Sequence, residues 1–402
     1  MVNEEVQSRI FGNERKYIDE VLSSEFRTSS GATMMRRLET AFAERFGVNY
    51  AISFVNGTAT MHAALEAAGI RPGDEVIVPP LTMSATTFAV LQCGAVPIFA
   101  DVDDETFQID ARDIERKLSP KTKGIITVAL YGLSPDMDAI NAIAGKYNLF
   151  VLEDNAECFL GKYKGKLAGT LGDCASFSFQ SSKHLTSGEG GMIITDDADF
   201  ANKVRQVQSL GYAGVSASKS KITKSDIQHP NYDRHVTMGW NYRMPELCCA
   251  VALAQVENID LLVERRMKVA SLFNEALSGS QDLLIPQKTP EHSVNSYWTW
   301  VCKLNLKAAS WDEFRDRFIQ LGGDGIYGAW KLTYLEPMFL NRSLLGREDN
   351  IPDEVWSTYS MGLCPVAEDL QPRLLQFKTN YWNLDDAYRQ SEVLQKTIKS
   401  FC

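Results

Sequence analysis

LEDNAECFLGKYKGKLAGTLGDCASFSFQSSKHLTSGEGG, residues 152–191, is the stretch whose reading decides the fold. An apolar run ends in a carboxylate, Asp154, where open α/β sheets place their ligands. A second run then alternates Phe177, Ser178, Phe179, so Ser178 faces away from the two rings. It leads into a turn rich in Ser, Thr and Gly that carries Lys183. Gly188, Gly190 and Gly191 let the chain double back into GMIITDD. Two strands, an acid at the tip of the first and a lysine on the loop after the second, imply a site at one sheet edge.

Outward from this stretch the pattern is regular. YAISFV, EVIVPP, VPIFADV, GIITVALYG, LFVLED, CASFSF and GMIITDD read as seven short strands. Helices are expected over 58–68, 85–93, 136–147 and 198–210. Strands alternating with crossover helices predict a mostly parallel seven-stranded sheet covered on both faces, an α/β fold. Two helices precede it, one over 3–24 and one after a turn within EFRTSSGATMMRRLETAFAERFG, the second with apolar residues at Leu38, Phe42 and Phe46. Pro245 opens a long helix expected to run to Leu277 with a wide apolar face. The rest, with strands such as YWTWVCKLNL, reads as a smaller α+β domain, giving a division at 1–265 and 266–402. Residues 212–238 are polar and aperiodic, either a solvated excursion or a lid or partner-facing arm.

Composition bounds the function. The chain has 402 residues, 45% hydrophobic and 23% charged, enough for a large core. A net charge of −10 gives nucleic-acid binding no electrostatic support. The eight cysteines form no C-x-x-C pair and share no metal-ligand spacing with the five histidines, so buried free thiols are expected and no metal site. The N-terminus lacks the apolar core of a signal peptide, and no apolar run approaches the roughly 20 residues of a membrane span. A cytoplasmic protein is expected.

Three further segments bear on chemistry. In YAISFVNGTATMHAAL a strand turns through Asn56, Gly57 and Thr58 into a helix, whose N-terminal N–H groups suit a phosphate. A plain helix cap with Thr58 as the capping residue explains the same residues. Asp154 can pair with a protonated ring nitrogen or cap a turn. Asn241-Tyr242-Arg243 precede the long helix and also read as a structural turn. A Walker A pattern is absent from the sequence and no G-x-G-x-x-G stands at this strand-to-helix turn, which removes the main support for nucleotide hydrolysis or nicotinamide chemistry.

Taken in order, NGTATMHAAL, GDEVIVPPLT, GAVPIFADVD, YGLSPDMDAI, EDNAE, GTLGD, FSFQSSKHLTSGEGG and NYRMPE resemble the DegT/DnrJ/EryC1/StrS family of sugar aminotransferases, which use pyridoxal 5'-phosphate (PLP). The resemblance covers about residues 30–275 well and the last lobe loosely. It implies the type I aminotransferase fold and a cofactor site made by Gly57, Thr58, Met83, Asp154, Glu157, Ser178, Lys183 and Asn241. Lys183 would carry PLP covalently and move the proton, and Asp154 would pair with the ring nitrogen. Gly57, Thr58 and Ser178 would hold the phosphate, with Asn241 reaching it from the neighbouring subunit of a homodimer. The implied reaction moves an amino group from glutamate to a keto or oxo sugar, most often nucleotide-linked, for lipopolysaccharide, glycan or antibiotic synthesis.

Three positions depart from the family pattern. Met83 stands where an aromatic residue usually stacks on the ring, Glu157 where glutamine is usual, and Ala129 where histidine is usual. Competing readings are sugar dehydration, in which a histidine replaces the lysine and His184 becomes the residue to watch, and a regulatory or binding protein without turnover. A free 8-oxo 3-deoxy-octulosonate or a cyclitol ketone are the alternative acceptors. Tyr327, Trp330, Lys331 and Tyr334 form an aromatic and basic cluster read as acceptor-binding, with domain packing as the alternative.

Overall fold

The computed structural model describes residues 8–26, 34–220, 222, 227–277 and 282–401. Seven strands form the main sheet: β1 Tyr50–Phe54, β2 Glu75–Val78, β3 Val96–Phe99, β4 Thr122–Val128, β5 Phe150–Asp154, β6 Cys174–Ser178 and β7 Gly191–Thr195. Their order is β1-β7-β6-β5-β4-β2-β3. Only β7 runs antiparallel to its neighbours β1 and β6; the other pairs are parallel. Both faces are covered, which is why β2, β6 and β7 are buried at every position.

The helices begin where side chains can cap them. Asn56, Asp110, Asp136 and Asp197 each accept a backbone N–H from the first turn of the helix they precede. The capping residue before the Gly57–Ala68 helix is thus Asn56 rather than Thr58, which leaves the Thr58 hydroxyl free for other work. The short helix Ala111–Lys117 was not anticipated from sequence. Leu38, Phe42 and Phe46 of the Met34–Phe46 helix are buried, as their spacing requires.

Two helical expectations are corrected. Among the described residues the first helix starts at Asn13, because Gly12 takes φ 103 and Glu14 accepts the N–H groups of Phe11 and Gly12; residues 3–7 lie outside the described residues. The long helix is two helices, Glu246–Val256 and Ile259–Ala276. The break falls at Asn258, whose side-chain amide donates to the Ala254 carbonyl while Tyr17 and Asn13 hold the Glu257 carboxylate.

After residue 283 a four-stranded antiparallel sheet forms, in the order Leu284–Pro286, Thr299–Leu304, Leu374–Lys378, Tyr327–Gly328. It packs under the Ile259–Ala276 and Leu384–Lys399 helices around Phe273, Trp300 and Phe377. A small third sheet joins Lys162–Tyr163 and Lys166–Leu167 to Ser293–Val294. The described cysteines are free, and all but Cys248 are buried. No helix among the described residues is long and apolar enough to cross a membrane.

Candidate active site

A cavity of about 550 Å³ opens at the C-terminal edge of the main sheet. Asn56, Gly57 and Thr58 line one end, at the start of the Gly57–Ala68 helix, together with Ser178 at the tip of β6. Phe177 and Phe179 point the other way, into the core beneath the Met34–Phe46 helix. A side-chain carbon on Gly57 would come within 2.9 Å of the Ser178 Cβ, and one on Gly191 within 2.8 Å of the Asn56 carbonyl. The two glycines therefore let β6, β7 and the helix N-terminus close on one another. The result is a cradle of backbone N–H groups and two hydroxyls.

Asp154 lies at the end of β5, buried. One carboxylate oxygen accepts from the Thr86 hydroxyl at 2.8 Å, the other from the Ala156 N–H at 3.1 Å. Burial pushes its pKa up, against the Thr86 and Ala156 hydrogen bonds and the charge of Lys183. No cation touches this carboxylate among the described residues, so a cationic ring N–H would supply the missing partner.

Lys183 projects into the same cavity from the loop between β6 and β7. Its Nζ lies 3.3 Å from Glu157 Oε1 and 4.2 Å from the centre of the Trp298 ring. The loop is fixed from behind. Arg9 donates to the carbonyls of Ser181, Lys183 and His184, and Arg266 to those of Ser182 and Lys183. The Trp298 indole N–H also donates to the Ser182 carbonyl. Arg266 is fully buried, which lowers its pKa to about 9.

His184 is excluded from this chemistry. Its ring is buried outside the cavity, with Nε2 3.0 Å from the Ser296 carbonyl and the ring against Phe159. Burial and the charges of Arg266, Lys183 and Arg9 hold its pKa well below the usual histidine value. The lysine, not the histidine, therefore faces the cavity, against the dehydration reading.

Glu157 turns toward Lys183 and is buried; its second oxygen accepts the Tyr131 N–H at 3.1 Å. Tyr131 sits at φ 63, a left-handed conformation that aims this N–H at the carboxylate. Met83 lines the mouth, 50% exposed. Asn241 is exposed, pairs with Ser209, and does not line this cavity in its own chain. Ala129 packs with Cys158 and Ala168 in a small buried cluster, where a larger side chain has no room without repacking.

The acceptor cluster divides. Trp330 lines the cavity and stacks between Trp298 and Tyr131, with ring centres 5.7 and 6.3 Å away. Tyr327 lines an adjoining cavity of about 390 Å³. Tyr334 is a packing residue, buried on Phe99 with its hydroxyl on Glu368, and Lys331 is exposed. Sequence reasoning missed Arg9, Arg266, Trp298 and Tyr131. Only the aromatic content of YWTW pointed at any of them.

The residues present fit PLP on three observations: a helix-N-terminal cradle in which a carbon added to Gly57 would crowd Ser178, a buried carboxylate that touches no cation among the described residues, and one amine facing both. Residues 9–343 match the DegT/DnrJ/EryC1/StrS aminotransferase family. A GDP-perosamine synthase of Escherichia coli O157:H7 is 39% identical over 310 residues, covering 77% of this chain and 80% of that protein. Another, from Caulobacter vibrioides, is 41% identical over 297 residues, 74% of this chain and 76% of that one. The solved structure of an aminotransferase from Psychrobacter cryohalolentis superposes with a TM-score of 0.86 at 28% identity, covering 98% of each chain. With a lysine-bearing cavity at the edge of a type I aminotransferase fold and these relatives, the chain belongs to the DegT/DnrJ/EryC1/StrS family and is a sugar aminotransferase.

Proposed function

We propose that this aminotransferase holds PLP in the 550 Å³ cavity and moves an amino group from glutamate to a carbonyl carbon of a nucleotide-linked keto sugar. The observation that carries the reading is that Asp154 and Lys183, 29 residues apart in sequence, face one cavity whose far end is a helix N-terminus. PLP, when bound, supplies an electron-withdrawing ring that stabilises negative charge on the carbon bearing the migrating nitrogen. Asp154 keeps a proton on the ring nitrogen. Gly57, Thr58 and Ser178 would hold the phosphate, and Met83, at the cavity mouth, would offer its polarizable sulfur to the ring. Lys183 Nζ anchors the cofactor and then moves the proton at the substrate carbon. Trp298 and Trp330 close the wall beside that amine and exclude water.

The acceptor follows from the relatives, two of which are named for a GDP-linked sugar. A free 8-oxo 3-deoxy-octulosonate and a cyclitol ketone are the alternatives. A homodimer with a shared site, in which Asn241 of one chain reaches the phosphate held by the other, belongs to the same proposal. It is supported by the absence of Asn241 from the lining of the cavity in its own chain and by exposed apolar side chains shortly before it in sequence, Val236 at 58% and Met238 at 73%. A cytoplasmic setting, and a division into a cofactor-binding domain at 1–265 and a smaller one at 266–402, complete it. The seven-stranded sheet ends at Thr195 and the four-stranded one starts at Leu284, which supports that division.

The test has two parts. Purified protein loaded with PLP is yellow, and glutamate bleaches the visible band; an unchanged band rejects glutamate as donor. Turnover is then compared across GDP-, UDP- and dTDP-linked keto sugars and the free sugar acid. A free acid accepted better than every nucleotide sugar overturns the choice of acceptor.

A further inference from the structure

Glu157 and Lys183 are a buried pair with an unusual set of neighbours. Glu157 is 3% exposed and the Lys183 side chain 12%. Both carboxylate oxygens are engaged, one by Lys183 Nζ at 3.3 Å and one by the Tyr131 N–H at 3.1 Å. The remaining titratable and charged groups around the pair come from several elements. Asp154 faces it from the end of β5 and Cys158 adjoins Glu157 in the chain. Tyr131 faces it from the turn after β4, and Glu189 from across the cavity. His184 follows Lys183 and is held neutral. Arg9 and Arg266 sit behind, on the Lys183 carbonyl.

A lysine that is to take a proton from carbon must first be a neutral amine, and the group 3.3 Å from this one is the Glu157 carboxylate. Burial in turn disfavours the ionised carboxylate, so Glu157 is pushed upward in pKa, with Lys183 opposing. Burial thereby works toward the protonated carboxylate, within a single hydrogen bond of the amine.

We propose that Glu157 is a proton-sharing partner of Lys183: when the amine is released from the cofactor as an ammonium, one N–H bond breaks and an O–H bond forms on Glu157 Oε1. The electron pair stays on Nζ, and the neutral amine then takes the substrate's carbon-bound proton. No proton enters or leaves the site in that exchange; once the amine has given the carbon-derived proton up again to carbon, the reverse transfer, from Glu157 Oε1 to Nζ, resets the pair. This rests on the cofactor reading given above.

Glu157→Gln keeps an acceptor for the Tyr131 N–H but cannot take a proton. In single-turnover reaction of the PLP-loaded protein with glutamate, the wild type is expected to be nearly independent of pH around neutrality. The Gln variant must lose the lysine proton to solvent. Its rate is expected to fall about 10²-fold at neutral pH and to recover as pH rises. In a separate absorbance titration without substrate, the visible-band transition of E157Q moves to lower pH by about 1–3 pH units, because the carboxylate that stabilised the protonated lysine linkage is gone.

A rate loss by one factor at every pH, or an unmoved transition, overturns the proposal and leaves only a structural role. If E157Q does not fold, Glu157→Asp carries the test. Its transition is expected to move in the same direction by a smaller step, and no movement overturns the idea. Borohydride reduction and peptide mapping of the same wild-type sample separate the two levels. An adduct on Lys183 with unchanged titrations rejects the proton-sharing pair alone, while no adduct on Lys183 rejects the cofactor reading together with it.

Discussion

The Lys183 loop has two sides that are built differently. Its front, facing the cavity, is assembled from strand tips and the turns beside them: Asp154 on β5, Ser178 on β6, and Gly57-Thr58 after β1. Its back is clamped by residues far away in sequence, Arg9, Arg266 and Trp298, all donating to loop carbonyls. The front carries the chemistry and the back gives it a fixed address. Among the described residues the two guanidinium groups hydrogen-bond carbonyls and a hydroxyl and meet no carboxylate, which places positive charge behind the lysine.

The comparison breaks most sharply at the front. Lys183→Ala is expected to lower transamination about 10²–10⁴-fold while the protein stays folded, measured as turnover alongside thermal unfolding. At the back the loss should be of structure first. Arg266→Ala removes four charge-assisted hydrogen bonds, to three carbonyls and the Thr379 hydroxyl, although each carbonyl keeps a second donor, and is expected to cost about 3 kcal/mol in denaturant unfolding. A variant that kept wild-type stability but lost activity would erase the distinction between the two sides.

Gly57→Ala probes the front more gently. The added carbon meets Ser178 at 2.9 Å, so the cradle must open. PLP affinity is expected to fall about tenfold, roughly 1.4 kcal/mol, by equilibrium titration of the cofactor-free protein.

The smallest effect comes from the back. His184 is held neutral in the fold, with its pKa depressed by burial and by Arg266, so the unfolded chain binds the extra proton. Stability from this group is full above about pH 6.5 and is lost as pH falls below it, by up to about 1.4 kcal/mol per pH unit. His184→Gln should flatten that part of the stability–pH curve.

The same division explains what was legible in the sequence. Each main-sheet strand is an apolar run bounded by turn residues, and helical segments follow at regular spacing, so the sheet and the front of the site could be read locally, the short Asp110-capped helix excepted. The Asn258 break was hidden inside an apolar periodicity that continues across it. Nothing local marks Arg9 or Arg266 for burial, because their partners are carbonyls 174 and 83 residues away. The direction of Glu157 was unreadable for a similar reason: it is set by the left-handed backbone at Tyr131. Tyr334 shared a sequence cluster with Trp330, yet its hydroxyl found Glu368 and its ring the core.

The central claim is that Lys183, and not its neighbour His184 or another lysine, is the residue bound to the cofactor. Borohydride reduction of the PLP-loaded protein, followed by peptide mapping, tests it most directly. The account predicts one pyridoxyl-modified peptide, spanning FSFQSSKHLTSGEGG with the adduct on Lys183. Modification at a different lysine, or no modification in a protein that still turns over, would contradict it.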